Sequence, residues 1–552
     1  MLGNRLVPWA LSVGTLLAMP AVAAASTDGV LATAASRAAL PGDPSLVTQL
    51  SPGLRVYALA TPAGKRASGY AEQLAARPGV FAAQVDRRMQ VSGLAEACAD
   101  VPDANQSQAL VTAVGAAAIV APQTTKPVAI LDTGVDPDTA EMKGRVLPGF
   151  NATNGSGDTT DTDAHGTEVA SVAAGSGGRF QGVSPTSPIL PISIYNRSSE
   201  TTAAWVVRGI QEAVTRGAGV INLSSSNPAA DVDPKDAAVL DQAITAAFAQ
   251  GTITVVAAGN EGKGNAAVPG DLTRVLTVGS ASADGTRDAF SNFGPWIDLV
   301  SPGADLILPA PLDVCSSGYG VASGTSFSAP AVAGAAALIW SQRPELNAQG
   351  IYDVMRMGAV KDLYQAGRDD DSGFGLLDVA TGLSSGAPLS QPHEVDDDVY
   401  WLRQYPKIHP TYLKKAGRAT IKSAVEVGKD PQDVYPVYAR RGETLSASAE
   451  AKGGDLGLGI WRPSTGSFDI GKGRDTYLMN DAGGVTPSPD ASVHVTRTGT
   501  YYVSIEAPDL PDPADPQTAG DKVDPQTTYT LTLTTARNLS ATATAKRKHR
   551  KP

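Results

Sequence analysis

The chain has 552 residues, 42% of them hydrophobic and 18% charged, with a formal net charge of −11. This is too long for one hydrophobic core and predicts about three or four units. The composition excludes wholesale disorder, and the acidic balance excludes a protein that binds nucleic acid over its whole surface. With only two cysteines, Cys98 and Cys315, a disulfide scaffold or a thiolate zinc site is excluded; the pair is either one bridge or two free thiols.

Residues 1–25 show the three zones of a secretory signal peptide: Arg5, an apolar stretch from Leu6 to Ala18, and Pro20 to Ala25 with small residues suited to cleavage after Ala23 or Ala25. Export is therefore expected. Residues 26–53, rich in Ala, Ser, Gly and Pro without clear periodicity, are expected to be a linker. From Leu54 the pattern changes, with strand-like 55–60, helix-like 68–76 and strand-like 80–86 predicting a small α+β unit within 54–104.

Between 105 and 385, apolar β-branched runs at 128–131, 189–194, 220–223, 253–256 and 275–278 alternate with helical stretches at 202–216 and 235–250. Asp233 is expected as N-cap of the latter and Pro234 as its first residue. Strands and helices in this alternation predict a mostly parallel, doubly wound α/β sheet covered on both faces, with ligands at the carboxyl ends of its strands. No later apolar run reaches the ~20 residues that span a bilayer, so no transmembrane anchor is expected. Residues 386–430 are expected to be a second linker. Strand-like runs at 434–439, 456–461, 501–505 and 529–534 predict a C-terminal β-sandwich over 431–537, and 538–552 is a basic tail.

Only one of the five histidines, His165, precedes position 390. It follows Asp132, which ends the run Val128-Ala-Ile-Leu131, and precedes Ser326, which opens a small, apolar helix-like run to Trp340. A buried carboxylate can fix the tautomer of an imidazole and stabilise the imidazolium. The imidazole, with a pKa near neutrality, can move a proton both ways. A serine in the first turn of a helix lies among free backbone N–H groups, but it is a weak nucleophile without a base. Asn260, after the run Ile253–Val256, would emerge at the same sheet edge as Asp132, where a side-chain N–H can stabilise an oxyanion. Taken singly, each has a plainer reading: turn aspartate, structural histidine, serine N-cap, turn asparagine. In this order, on four different elements, they point to acyl transfer.

Asp132-Thr-Gly, His165-Gly-Thr, Val220-Ile-Asn-Leu-Ser224, Ala258-Gly-Asn260, Phe290-Ser-Asn-Phe-Gly294, Ser301-Pro-Gly303 and Gly324-Thr-Ser326-Phe-Ser-Ala-Pro330 resemble the subtilisin-like serine peptidases, the subtilases, over roughly 105–385. The resemblance implies that Asp132 orients His165, that His165 is general base and then acid, and that Ser326 is the nucleophile. Asn260 and the Ser326 N–H would form the oxyanion hole. Ser224, Ser225 and Ser226 with Ala257, Ala258 and Gly259 would bind substrate. It implies a secreted, monomeric endopeptidase acting on proteins or peptides and needing no cofactor for its chemistry. The segment from about 54 to 92 resembles the subtilase propeptide, a chaperone and inhibitor in cis. The C-terminal strands resemble the pre-peptidase C-terminal domains of secreted bacterial peptidases.

Two positions depart from the family pattern. Ala164 stands where glycine is commonest before the histidine, tolerable if its backbone angles are ordinary, and Ser226 adds a side chain where glycine is common, narrowing the cleft. The family often binds calcium, and Asp158, Asp161 and Asp163 form a loop that could supply oxygen ligands; a solvated acidic loop is the alternative. An aspartic peptidase is disfavoured because Asp371-Ser-Gly373 does not follow an apolar strand. An α/β-hydrolase esterase is disfavoured because Ser326 lacks the glycine two residues on. The rival of another class is a catalytically silent subtilase fold that binds through its C-terminal domain.

Overall fold

The computed structural model describes residues 29–91, 97–122, 126–228, 237–264 and 267–385 apart from 271, 273, 295 and 365–368, then 417–426, 432–452, 454–461, 477–480, 488–496, 499–506 and 526–537. The signal-peptide residues, the Asp233-Pro234 pair and the basic tail lie outside these.

The N-terminal unit begins earlier than predicted. Residues 26–53 are not simply a linker: they contribute β1 (Gly29–Ala34) and β2 (Ser45–Ser51), which join β3 (Leu54–Ala60) and β4 (Val80–Val85) in one sheet of order β2-β3-β1-β4. Helix α1 (Ala67–Ala75) packs against it. Interior strand β1, Gly-Val-Leu-Ala-Thr-Ala, is buried at every position. A strand covered on both faces shows no alternation, so a period-2 search passes over it. The chain continues through β5 (Arg88–Val91), β6 (Ala97–Cys98) and α2 (Ala104–Ala113).

The main body follows as β7 (Val128–Asp132), β8 (Phe150–Asn151), α3 (His165–Ala174), β9 (Ile189–Ser193), β10 (Thr201–Thr202) and α4 (Ala203–Thr215). Next come β11 (Val220–Leu223), β12 (Ser225–Pro228), α5 (Ala238–Ala249), β13 (Ile253–Ala257), β14 (Ala267–Val268) and β15 (Val275–Ser280). Then come β16 (Leu299–Ser301), β17 (Leu306–Pro309), β18 (Tyr319–Ala322) and the long α6 (Thr325–Gln342). Helix α7 (Ala348–Asp353), β19 (Val360–Lys361), β20 (Leu376–Leu377) and α8 (Val379–Ser384) close it.

Nine of these strands form one sheet of order β19-β20-β16-β15-β13-β11-β7-β9-β8, parallel except at β19. Its alternate side chains feed two cores. Val128 and Ile130 of β7 pack with α3 and α6, while Ala129 and Leu131 pack with α4 and α5. Leu31, Val47, Leu50 and Met89 of the N-terminal segment join that second core, beside Trp205 and Ile244.

Helices α4 and α5 have no side-chain cap of their own. Asp86 Oδ1 accepts from Ala204 N (2.9 Å) at the start of α4, and Gln84 Oε1 accepts from Val239 N (2.7 Å) at the start of α5. The N-terminal unit thus satisfies the unpaired donors of two helices at its docking surface.

The last strands are β21 (Gly417–Glu426), β22 (Gln432–Ala439), β23 (Glu443–Lys452), β24 (Gly457–Trp461), β25 (Tyr477–Asn480), β26 (Asp490–His494), β27 (Gly499–Glu506) and β28 (Gln526–Arg537). They form two antiparallel four-stranded sheets, β21-β28-β23-β26 and β22-β27-β24-β25, sharing one buried cluster. Strand β21 falls inside the expected linker 386–430. Its ten-residue register with β28 stabilises a strand that Arg418 and Lys422 obscure in the sequence. Among the described residues no helix is long and apolar enough to cross a membrane.

Candidate active site

Asp132 ends β7 and His165 opens α3, and the two meet as a buried pair. His165 Nδ1 donates to Asp132 Oδ1 (2.7 Å), which also accepts from Thr133 N (2.7 Å). An imidazole held so keeps its proton on Nδ1 and presents Nε2 as the acceptor nitrogen. Gly134 and Gly166 allow this approach of strand end and helix start, since a Cβ on Gly166 would collide with the Gly134 carbonyl.

A second carboxylate organises the loop before the histidine. Asp161 Oδ1 accepts from Thr133 Oγ1 (2.9 Å), Asp163 N (3.1 Å) and Ala164 N (3.1 Å), while Oδ2 accepts from Thr167 N (2.8 Å) and Thr167 Oγ1 (2.6 Å). Burial pushes its carboxyl above the ordinary range, and the hydrogen bonds, Thr167 foremost, oppose this. The loop so held turns through Ala164 at φ 91°, ψ −29°. The ordinary angles on which tolerance of a methyl group depended are not found: Ala164 sits in the left-handed region, where a Cβ is strained.

Ser326 lies in the first turn of α6, fully buried, and the ring of its neighbour Phe327 packs on His165 with centroids 5.4 Å apart. Pro330 lies four residues on and has no N–H to give the Ser326 carbonyl. Ser224 Oγ donates to that carbonyl instead (2.9 Å), and Ser326 Oγ donates to the Ser224 carbonyl (3.4 Å). The segment expected to bind substrate is thus tied to the serine in both directions. Asn260 Oδ1 accepts from Thr325 N and Thr325 Oγ1, both 2.9 Å, which fixes the amide with its oxygen toward α6.

Ser225 hydrogen-bonds through Oγ to Tyr195 Oη (2.6 Å); burial first, with the Asp132 charge second, raises the Tyr195 pKa well above its usual value. Ser226 pairs in β12 through its backbone, and its side chain lies outside the described residues. Ala257 and Ala258 are fully buried; Ala258 O and Gly259 O accept from Asn292 Nδ2 and Asn292 N, and Gly259 N donates to Thr325 Oγ1. Strand β5 lies antiparallel between β10 and β12, with Val91 opposite Ser225 and Met89 opposite Thr201.

A model of the subtilase family matches residues 125–375. An intracellular serine protease of Paenibacillus polymyxa is 33% identical over 252 residues, 42% of this chain and 74% of that protein. The chain belongs to the subtilase family. Subtilisin DY of Bacillus licheniformis is also 33% identical, over 41% of this subtilase and 80% of that protein. The thermophilic serine proteinase of Bacillus sp. strain AK1 is 33% identical over 39% of this chain and 52% of its own length, so this chain spans about half of that relative. The solved structure of the epidermin leader peptide processing serine protease of Staphylococcus aureus shares the fold, at 21% identity and a TM-score of 0.51, over 65% of this chain and 99% of that one.

The acidic loop of this subtilase, open in sequence to a calcium-ligating or a solvated reading, is held by hydrogen bonds. Asp161, central among the three, has both oxygens engaged by five donors, and among the described residues no three His, Cys, Asp or Glu side chains converge as a metal site. Sequence reasoning missed Asp161 as the organiser of the loop, Asn292 as the brace behind Ala258 and Gly259, and Tyr195 behind Ser225. Thr133 and Thr167 stood inside the quoted motifs and were the available signal.

Proposed function

We propose that this subtilase is a secreted serine endopeptidase that cleaves peptide bonds through an acyl-enzyme on Ser326. In this reading His165 Nε2 takes the Ser326 proton as the hydroxyl attacks the scissile carbonyl, then returns it to the leaving amine. Asp132, already bonded to Nδ1, stabilises the imidazolium formed between those steps. Asn260 Nδ2 and the Ser326 N–H hold the developing oxyanion, and water releases the acyl group by the same route. Ser224–Ser226 and Ala257–Gly259 bind the substrate backbone. The observation that carries the reading is the buried 2.7 Å bond between His165 and Asp132 beside the helix that begins at Ser326.

The N-terminal unit is read as a propeptide inhibitor, supported by its caps on α4 and α5 and by β5 lying along Ser225 and Ser226. Export is supported by the signal-like residues 1–25 and by the disulfide between Cys98 and Cys315, whose Cα atoms are 5.4 Å apart. The test is labelling with a fluorophosphonate and the fate of Ser326→Ala. The expected result is one label on the wild-type enzyme, none on the variant, and a variant that keeps its N-terminal unit attached. A folded wild-type protein freed of residues before Ala97 that takes no label would overturn the reading in favour of a silent binding protein.

A further inference from the structure

The two described strands that bracket residues 92–96, β5 and β6, each pair with a segment adjoining the proposed nucleophile. Strand β5 runs antiparallel along Ser225 and Ser226 on one side. On the other, β6 runs antiparallel to β18, with Ala97 opposite Val321 and Cys98 opposite Gly320, and Ala99 N donates to Tyr319 O (2.9 Å). Ser224, adjoining the first strand pair, exchanges hydrogen bonds with Ser326, and β18 leads through Ser323 and Gly324 into the helix that carries it. A substrate pairing as these two strands do would lay its acyl half along β12 and its leaving half along β18.

We infer that the mature enzyme keeps its own N-terminal segment fastened along β18, and that the Cys98–Cys315 bond thereby makes Ala97–Ala99 an intramolecular competitor for the leaving half of long substrates. The inference rests on the endopeptidase reading above. Hydrolysis of a peptide bond between Val91 and Ala97 consumes one water and leaves a carboxylate on the β5 side and an amine on the β6 side. The β5 side leaves with the N-terminal unit. The β6 side stays, because Cys98 is bridged to Cys315 and the chain continues into α2, whose Leu110 and Val111 are buried in the main core. An added strand gains its affinity from main-chain hydrogen bonds to a sheet edge, and a tether gives it a local concentration of order millimolar. Substrates ending at the cut do not meet this competitor.

Cys98 is the position to change, because it is exposed, whereas Cys315 is buried against Ala164 beside His165. The measurement compares kcat/KM of the mature enzyme on two substrates alike on the acyl side: a peptide p-nitroanilide, with nothing beyond the leaving group, and a quenched fluorescent peptide extending several residues past the cut. Cys98→Ser is expected to raise kcat/KM on the extended peptide by about tenfold and leave the anilide unchanged. Treating the wild-type enzyme with a phosphine, which is oxidised to its oxide with oxygen from water as the disulfide becomes two thiols, is expected to do the same. An unmoved ratio of the two substrates, or an equal fall on both as a merely structural bridge would give, overturns the inference. A wild-type enzyme inert even on the anilide overturns the endopeptidase reading and this inference with it.

Discussion

At Ala164 a methyl group occupies a backbone conformation that suits glycine, one residue before the proposed base, and the carboxylate of Asp161 holds it there. Left-handed backbone in an L-residue costs about 1 kcal/mol or more. Ala164→Gly is therefore expected to stabilise the chain by about 1 kcal/mol, read as a raised urea midpoint at unchanged slope in a Ser326→Ala background that cannot digest itself. Asp161→Asn should act in the opposite sense: it replaces an acceptor with an N–H2 among donors. A loss of about 2–3 kcal/mol is expected by the same measurement, because buried donors are left unpaired; a neutral result would mean that the loop is held by other contacts. The Ser224–Ser326 exchange belongs to this scale too. Pro330 removes a helix donor and thereby frees the Ser326 carbonyl for Ser224.

Among elements, the informative pairing is between the N-terminal unit and the helices it caps. Burial raises the Asp86 pKa to about 6 from 3.8, opposed by the Ala204 N–H and the Thr202 hydroxyl. A carboxyl whose pKa is raised on folding takes up a proton there, so its stabilising contribution is complete below about pH 4 and is lost as pH rises through about 6. Asn at position 86 cannot lose that proton. With the unit retained by Ser326→Ala, the stability gained by adding Asp86→Asn is expected to grow between pH 4 and 6 by up to roughly 3 kcal/mol and then level off. Parallel unfolding curves for the two chains at every pH would refute it. The direction implies an N-terminal unit held more firmly in acid than at neutral pH.

At the scale of the whole molecule the described residues form separate cores. Among them, the cluster of the C-terminal sheets shares no residue with the two cores on either face of the main sheet. Units with their own cores fold separately, so a chain ended at Ser385 is expected to hydrolyse a peptide anilide within about twofold of the full-length rate; a large loss would show that the C-terminal sheets support the catalytic unit. The N-terminal unit behaves otherwise, since Leu31, Val47 and Leu50 lie in the same cluster as α4 and α5.

What the sequence determined by itself was local: β-branched apolar runs that can only be buried strands, an aspartate, a histidine and a serine at the ends of such elements, and motif density sufficient to name the family. Strand β7 and helix α6 were legible because each carries its own pattern and its own end signal. Only the tertiary structure decided what depends on residues far apart. It made β1 a strand by covering both its faces, and β21 a strand by pairing it with β28 more than a hundred residues on. It made Asp161 the acceptor that bends Ala164, and it joined Cys98 to Cys315 across 217 positions. Propensity and periodicity act over a few residues, whereas burial and hydrogen-bond partnership are settled only when distant segments arrive at the same place.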